Sequence, residues 1–124
     1  MIIRVFLVED SPAVRENVAA ALEELAPVEI VGSADDEPMA ASWIRAHPGV
    51  CDILVIDIFL RRGSCLDLLK QFRSMQTMSK VVFSNYATPQ MRHKCIELGA
   101  DKVFDKSTEI EGLLTYCTTF GTHR

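Results

Sequence analysis

Cys51-Asp52-Ile53-Leu54-Val55-Ile56-Asp57 is the stretch that decides the fold. Between its two acids stand Ile, Leu, Val and Ile, with no charge and no alternation. That is the pattern of a strand buried on both faces of a parallel sheet. Asp57 stands where the strand runs out, at the carboxyl edge where open α/β sheets bind ligands. A carboxylate there is costly unless something pairs with it. Which residues accompany Asp57 is therefore the functional question.

Working outward, residues 2–8 form a second apolar run that ends on Glu9-Asp10. Ser11-Pro12 then gives a helix-start signal. The spacing predicts a helix over 12–25 with Val14, Val18, Ala21, Leu22 and Leu25 on one face, stopped by Ala26-Pro27. Residues 28–32 read as a short strand near an edge. Asp35-Asp36-Glu37-Pro38 opens a second helix carrying Met39, Trp43 and Ile44, which ends near His47-Pro48-Gly49. After Asp57 come a loop over 58–64, a helix over 65–75 presenting Leu66, Leu69 and Phe72, and a fourth strand over 80–83 that meets Ser84-Asn85. Thr88-Pro89 opens a helix to about Leu98, with Gly99 suited to its C-cap. A short fifth strand over 101–105 meets Lys106, and a last helix over 108–119 carries Ile110, Leu113, Leu114 and Cys117.

Five strands alternating with five helices imply parallel strands, right-handed crossovers and helices on both faces. The expected architecture is a single doubly wound α/β domain over 1–124 with strand order 2-1-3-4-5, which makes strands 1 and 3 neighbours. The 124 residues, 48% of them hydrophobic, suffice for one core. A formal net charge of −4 without a basic cluster argues against direct nucleic-acid binding. No apolar run approaches ~20 residues, so no membrane span is expected. Residues 1–10 lack the features of a signal peptide. Cys51, Cys65, Cys95 and Cys117 form no CxxC pair and read as reduced, packed thiols. His47, His93 and His123 share no motif and read as surface residues, whereas Met75 and Met78 read as packing. The cytoplasm is the expected compartment.

The carboxyl ends of the strands carry Glu9 and Asp10, Asp57, Ser84 and Lys106. A strand-terminal Asp or Lys is ordinarily just solvated, but five such residues at one edge are hard to attribute to accident. Glu9, Asp10 and Asp57 need countercharge. Lys106 supplies part, and a divalent cation would supply the rest. Hard oxygen ligands without His or Cys favour Mg²⁺, with the Phe59 carbonyl as a further candidate ligand. A carboxylate held against Mg²⁺ and a lysine is prepared to attack a phosphoryl group, and the Ser84 hydroxyl can donate to one of its oxygens.

Glu9-Asp10, Asp57, Ser84 and Lys106 in this order, together with the motifs over residues 6–11, 54–58 and 98–107, resemble the receiver domain of two-component response regulators, with its flavodoxin-like fold. The resemblance covers essentially the whole chain. It implies that Asp57 takes a phosphoryl group from a phosphohistidine on a sensor histidine kinase or histidine phosphotransfer protein. It also implies that Glu9 and Asp10 hold Mg²⁺ and that Ser84 and Lys106 read the phosphorylated state. The face made by helix 4, strand 5 and helix 5 would then engage a downstream protein, the chain acting as a monomer or weak dimer. On this reading it is a signalling switch, not a substrate-turning enzyme. Because the sequence closes on Thr122-His123-Arg124 just after the fifth helix, no output domain is expected; the alternative is the receiver half of a DNA-binding regulator.

The chain departs from the family pattern in several places. Val103 stands three residues before Lys106, where a switch aromatic is frequent, and strand alternation points Phe104 to the opposite face. Ser107 follows the lysine where Pro is common. Asn85 stands where a small residue is usual and would narrow access to the phosphoryl group. Phe59 and Tyr86 occupy positions that tune water attack, and Arg61-Arg62 stand in the loop after Asp57, where they face water or an acidic partner. Two other classes fit less well. A flavodoxin-like electron carrier would not put Glu9-Asp10 in its phosphate loop, and an aspartyl-phosphate phosphohydrolase would want an acid where Phe59 stands.

Overall fold

The computed structural model describes residues 1–120; His123 and the rest of the expected terminus lie outside them. The elements are β1 (Ile3–Val8), α1 (Pro12–Leu25), β2 (Val28–Ala34), α2 (Glu37–Ala46), β3 (Ile53–Ile56), α3 (Cys65–Gln71), β4 (Ser79–Ser84), α4 (Pro89–Glu97), β5 (Lys102–Asp105) and α5 (Ile110–Thr118). All five strands are parallel, in the order β2-β1-β3-β4-β5. The doubly wound architecture is as the alternation predicts.

Alternate residues of the central strand feed two separate cores. Leu54 and Ile56 pack with α2, α3 and α4, while Ile53 and Val55 pack with α1 and α5. Each fully buried Leu or Ile contributes roughly 1.5–3 kcal/mol, which is why β3 tolerates no polar residue between its end acids. The helix starts follow local chemistry. The side chains of Ser11, Asp36, Ser64 and Thr88 accept from the N–H groups of Val14, Met39, Asp67 and Met91. Gly99 follows α4 at φ +113°, a conformation that suits glycine.

Several boundaries and faces differ from expectation. β2 is two residues longer, because it stays paired with β1 as far as Ala34. α3 ends at Gln71, although Phe72 still packs beneath it, and its buried face is Cys65, Leu68 and Leu69. α5 starts at Ile110 rather than at Thr108. Leu25 and Met39 are exposed rather than packed. Leu25 is the last residue of α1, beyond the stretch that Leu22 anchors, and the face of α2 that meets the sheet is Ala40, Ala41 and Ile44.

The four cysteines are free and buried, and His47 and His93 are exposed, as read. Burial pushes the Cys51 and Cys117 thiols up to about 12, so they behave as small hydrophobes. Met78 is buried and Met75 packs against the same core.

Two leucines test the packing. Leu68→Ala should cost about 2–5 kcal/mol in urea unfolding, whereas Leu25→Ala should stay within about 0.5 kcal/mol of wild type. Equal losses would mean that the faces of α1 and α3 are misassigned.

Candidate functional site

β1 and β3 are neighbours, and the N–H of Asp57 donates to the Val8 carbonyl at 3.0 Å. Glu9, Asp10 and Asp57 consequently meet, each offering an oxygen within 4.8 Å of the others. Glu9 is buried, Asp57 half-buried and Asp10 exposed. The set is all oxygen, carries three negative charges and has one exposed member through which an ion could enter. It fits Mg²⁺, a hard cation that keeps several waters.

Lys106 enters this cluster from the end of β5. Its ammonium donates to Asp57 Oδ2 at 3.0 Å and also to Glu9 Oε1. Burial alone would pull the Lys106 pKa down, but the hydrogen bonds and charges of Glu9 and Asp57 outweigh it and hold the lysine above its ordinary value. The acids have other partners. Asp57 Oδ1 accepts the Ile58 N–H at 2.7 Å, and Glu9 Oε2 accepts the Ser11 N–H at 3.0 Å. Arg15 donates to the Glu9 carbonyl at 2.8 Å. The sequence reading passed over Arg15, which only the return of α1 across the site brings within reach.

Ser84 is at the edge, but its hydroxyl is not part of this network. It is fully buried and accepts the Tyr86 N–H at 3.2 Å, while its carbonyl accepts the Lys106 N–H at 3.1 Å. Ser107 donates to the Asn85 side chain at 2.9 Å, tying the loops after β4 and β5 together. Asn85 is thus turned toward its neighbouring loop. No peptide bond among the described residues is cis.

Phe59 and Tyr86, in the loops that follow β3 and β4, meet edge to face with ring centroids 4.4 Å apart, and more than half of each is exposed. The Phe59 backbone bridges to Ser64. Val103 is buried on the α4 side of the sheet and Phe104 packs on the α5 side, as alternation requires. Arg61 and Arg62 find acids within the chain: Arg61 bonds Asp35 at 3.0 Å and Arg62 reaches Asp36 at 3.8 Å. Gly63, at φ +76°, passes so close to Glu37 that a Cβ would collide with its side chain.

The comparisons agree with this geometry. Residues 5–118 match the family described as response regulator receiver domain. The chain is 31% identical over 113 residues to protein-glutamate methylesterase/protein-glutamine glutaminase 1 of Caulobacter vibrioides, covering 89% of this chain and 32% of that protein. It is 24% identical over 110 residues to the Fimbriae Z protein of Salmonella typhimurium, covering 88% of this chain and 51% of that one. The chain therefore spans between about a third and about a half of the length of these curated relatives. In fold it is similar to a LuxR-family two-component response regulator from Aurantimonas sp. SI85-9A1, with a TM-score of 0.88, 23% identity, and 100% of this chain and 88% of that chain covered.

The raised pKa of Lys106 has a definite pH signature. Its ion pairs stabilise the fold fully below the ordinary lysine value of 10.5, and that contribution is lost as pH rises through the higher folded value. In urea unfolding from about pH 8 to about pH 11.5, wild type should exceed Lys106→Met by a constant margin at first, then by a shrinking one above 10.5. A margin unchanged across the whole range would contradict the pairing.

Proposed function

The chain belongs to the response regulator receiver domain family, and on that footing we propose that Asp57 is its phosphoacceptor, taking a phosphoryl group from a phosphohistidine of a sensor histidine kinase or histidine phosphotransfer protein. The domain is a phosphorylation-controlled switch of two-component signalling. The observation that supports the residue-level reading best is the Lys106 ammonium bonded to both Asp57 and Glu9, with Asp10 alongside.

In the transfer an Asp57 oxygen attacks phosphorus. The donor's phosphorus–nitrogen bond breaks with its electron pair leaving on the imidazole, and an acyl phosphate forms. Asp57 is set for this before a donor arrives, because the Ile58 N–H holds one carboxylate oxygen and Lys106 the other. Lys106 also places its charge where the phosphoryl oxygens will lie. Glu9, Asp10, Asp57 and the Phe59 carbonyl would hold Mg²⁺, which supplies the remaining charge for neutralising those oxygens. The Ser84 hydroxyl accepts from the Tyr86 N–H and keeps its own O–H to donate to a phosphoryl oxygen, and that new bond is the local event that reports phosphorylation. The α4, β5 and α5 face then engages a downstream protein. No substrate is turned over; the chain assists only its own phosphorylation and dephosphorylation.

The length of the curated relatives favours a second reading, in which this receiver governs an attached output region. The mass of the intact native protein separates the two.

Incubation with acetyl phosphate and Mg²⁺ should add one phosphoryl group to wild type and none at that position to Asp57→Asn, read by intact mass and peptide mapping. Label persisting on another residue would move the site. Phe59 and Tyr86 screen the acyl phosphate from water, so the Phe59→Ala, Tyr86→Ala double variant should lose its label faster, on the order of tenfold. An unchanged lifetime would leave the aromatic pair without that role.

A further inference from the structure

Arg92, on the first turns of α4, holds three other parts of the domain. Its Nε donates to the Ala87 carbonyl at 2.9 Å, in the loop that follows Ser84. One terminal nitrogen donates to the Val103 carbonyl of β5 at 2.9 Å, and the other pairs with Glu109. Glu109 is the N-cap residue of α5, yet its side chain caps nothing there. The same Oε1 that meets Arg92 accepts the Asp105 N–H at 2.9 Å, one residue before Lys106. A single ion pair thus ties the loop after Ser84 to the residue that precedes Lys106. The position from which an aromatic could swing holds Val103, already buried.

We propose that the Arg92–Glu109 pair is a latch that positions the loops bearing Ser84 and Lys106 in their phosphoryl-free arrangement, so that phosphorylation of Asp57 works against it. This rests on the reading of Asp57 as phosphoacceptor. The Ser84 side chain is buried and its oxygen accepts the Tyr86 N–H, so drawing its O–H onto a phosphoryl group shifts residues 84–87 with it, and Arg92 holds Ala87. Such a shift strains the contacts of Arg92 with Val103 and Glu109, which lie within α4, β5 and the start of α5. A displacement at the acidic edge is thereby passed to that face. By reciprocity, whatever loosens the latch must favour the phosphorylated arrangement.

The test is binding of trifluoroberyllate, a phosphoryl mimic, from beryllium and fluoride salts with Mg²⁺, followed by fluorine NMR on the full chain. Glu109→Gln keeps shape and removes the charge; Arg92→Lys keeps charge and cannot span both carbonyls. Each should tighten binding on the order of fivefold, and the double variant should bind no more tightly than the better single one. A merely structural pair would lower melting temperature and leave this affinity alone. Unchanged or weakened affinity in both folded variants overturns the latch. Folded wild type that takes up no trifluoroberyllate, and no label from acetyl phosphate, overturns the reading of Asp57 itself.

Discussion

The site depends on one ammonium group reaching two carboxylates from across the sheet. Lys106 leaves the end of β5, whereas Asp57 ends β3, and β4 lies between them. Strands stand about 4.8 Å apart, so roughly 10 Å separates the two backbones. Only a long cationic side chain can close that gap, and it passes the end of β4, where the residue is the short Ser84. Glu9 comes from β1 on the far side of β3, which places the ammonium between acids of two neighbouring strands. Without it, Glu9 would be a buried carboxylate left with a single N–H donor, from Ser11. Burial of that kind is tolerated only when the charge is paired.

Much of this was legible in the sequence because strand ends are legible. An uninterrupted apolar run that stops at a carboxylate marks both the strand and its carboxyl edge, and parallel alternation then gathers those edges. The starts of α1, α2 and α4 were equally plain, since a Ser, Asp or Thr with Pro close behind is a local signal, whereas α5, which has no such cap and proline, starts two residues later than its spacing suggests. Helix faces were less so. The periodic pattern drew in Leu25 and Met39, because hydrophobicity alone does not say where a helix leaves the sheet. The face of α2 is in fact built from Ala40 and Ala41 beside Ile44, and alanines carry too little hydrophobic weight to stand out in the pattern.

Polar pairs between elements were invisible. Arg61 finds Asp35 and Arg92 finds Glu109 across 26 and 17 positions, distances at which spacing carries no information. Arginines in a loop or on a helix look solvated until the fold supplies their partners. Ser84 illustrates the same limit in another way. Its position at the edge followed from the strand, but not the engagement of its hydroxyl with the Tyr86 N–H, which is a matter of how the loop turns.

These polar contacts also say where movement can occur. The two cores on either side of the sheet are close-packed, and interiors of that kind resist small continuous displacement. Val103 and Phe104 sit in different cores, so neither can carry a side-chain rearrangement from one face to the other without crossing the sheet. The loops beyond β4 and β5 are different. They are held by single hydrogen bonds, Ser107 on Asn85, the Tyr86 N–H on the buried Ser84, and Arg92 on Ala87, together with the half-exposed Arg92–Glu109 pair. Each such bond contributes only about 0.5–1.5 kcal/mol, small enough for a new doubly charged group at Asp57 to override several of them. The rigid part of this domain therefore fixes where the phosphoryl group would sit, and the weak rim is what it can move.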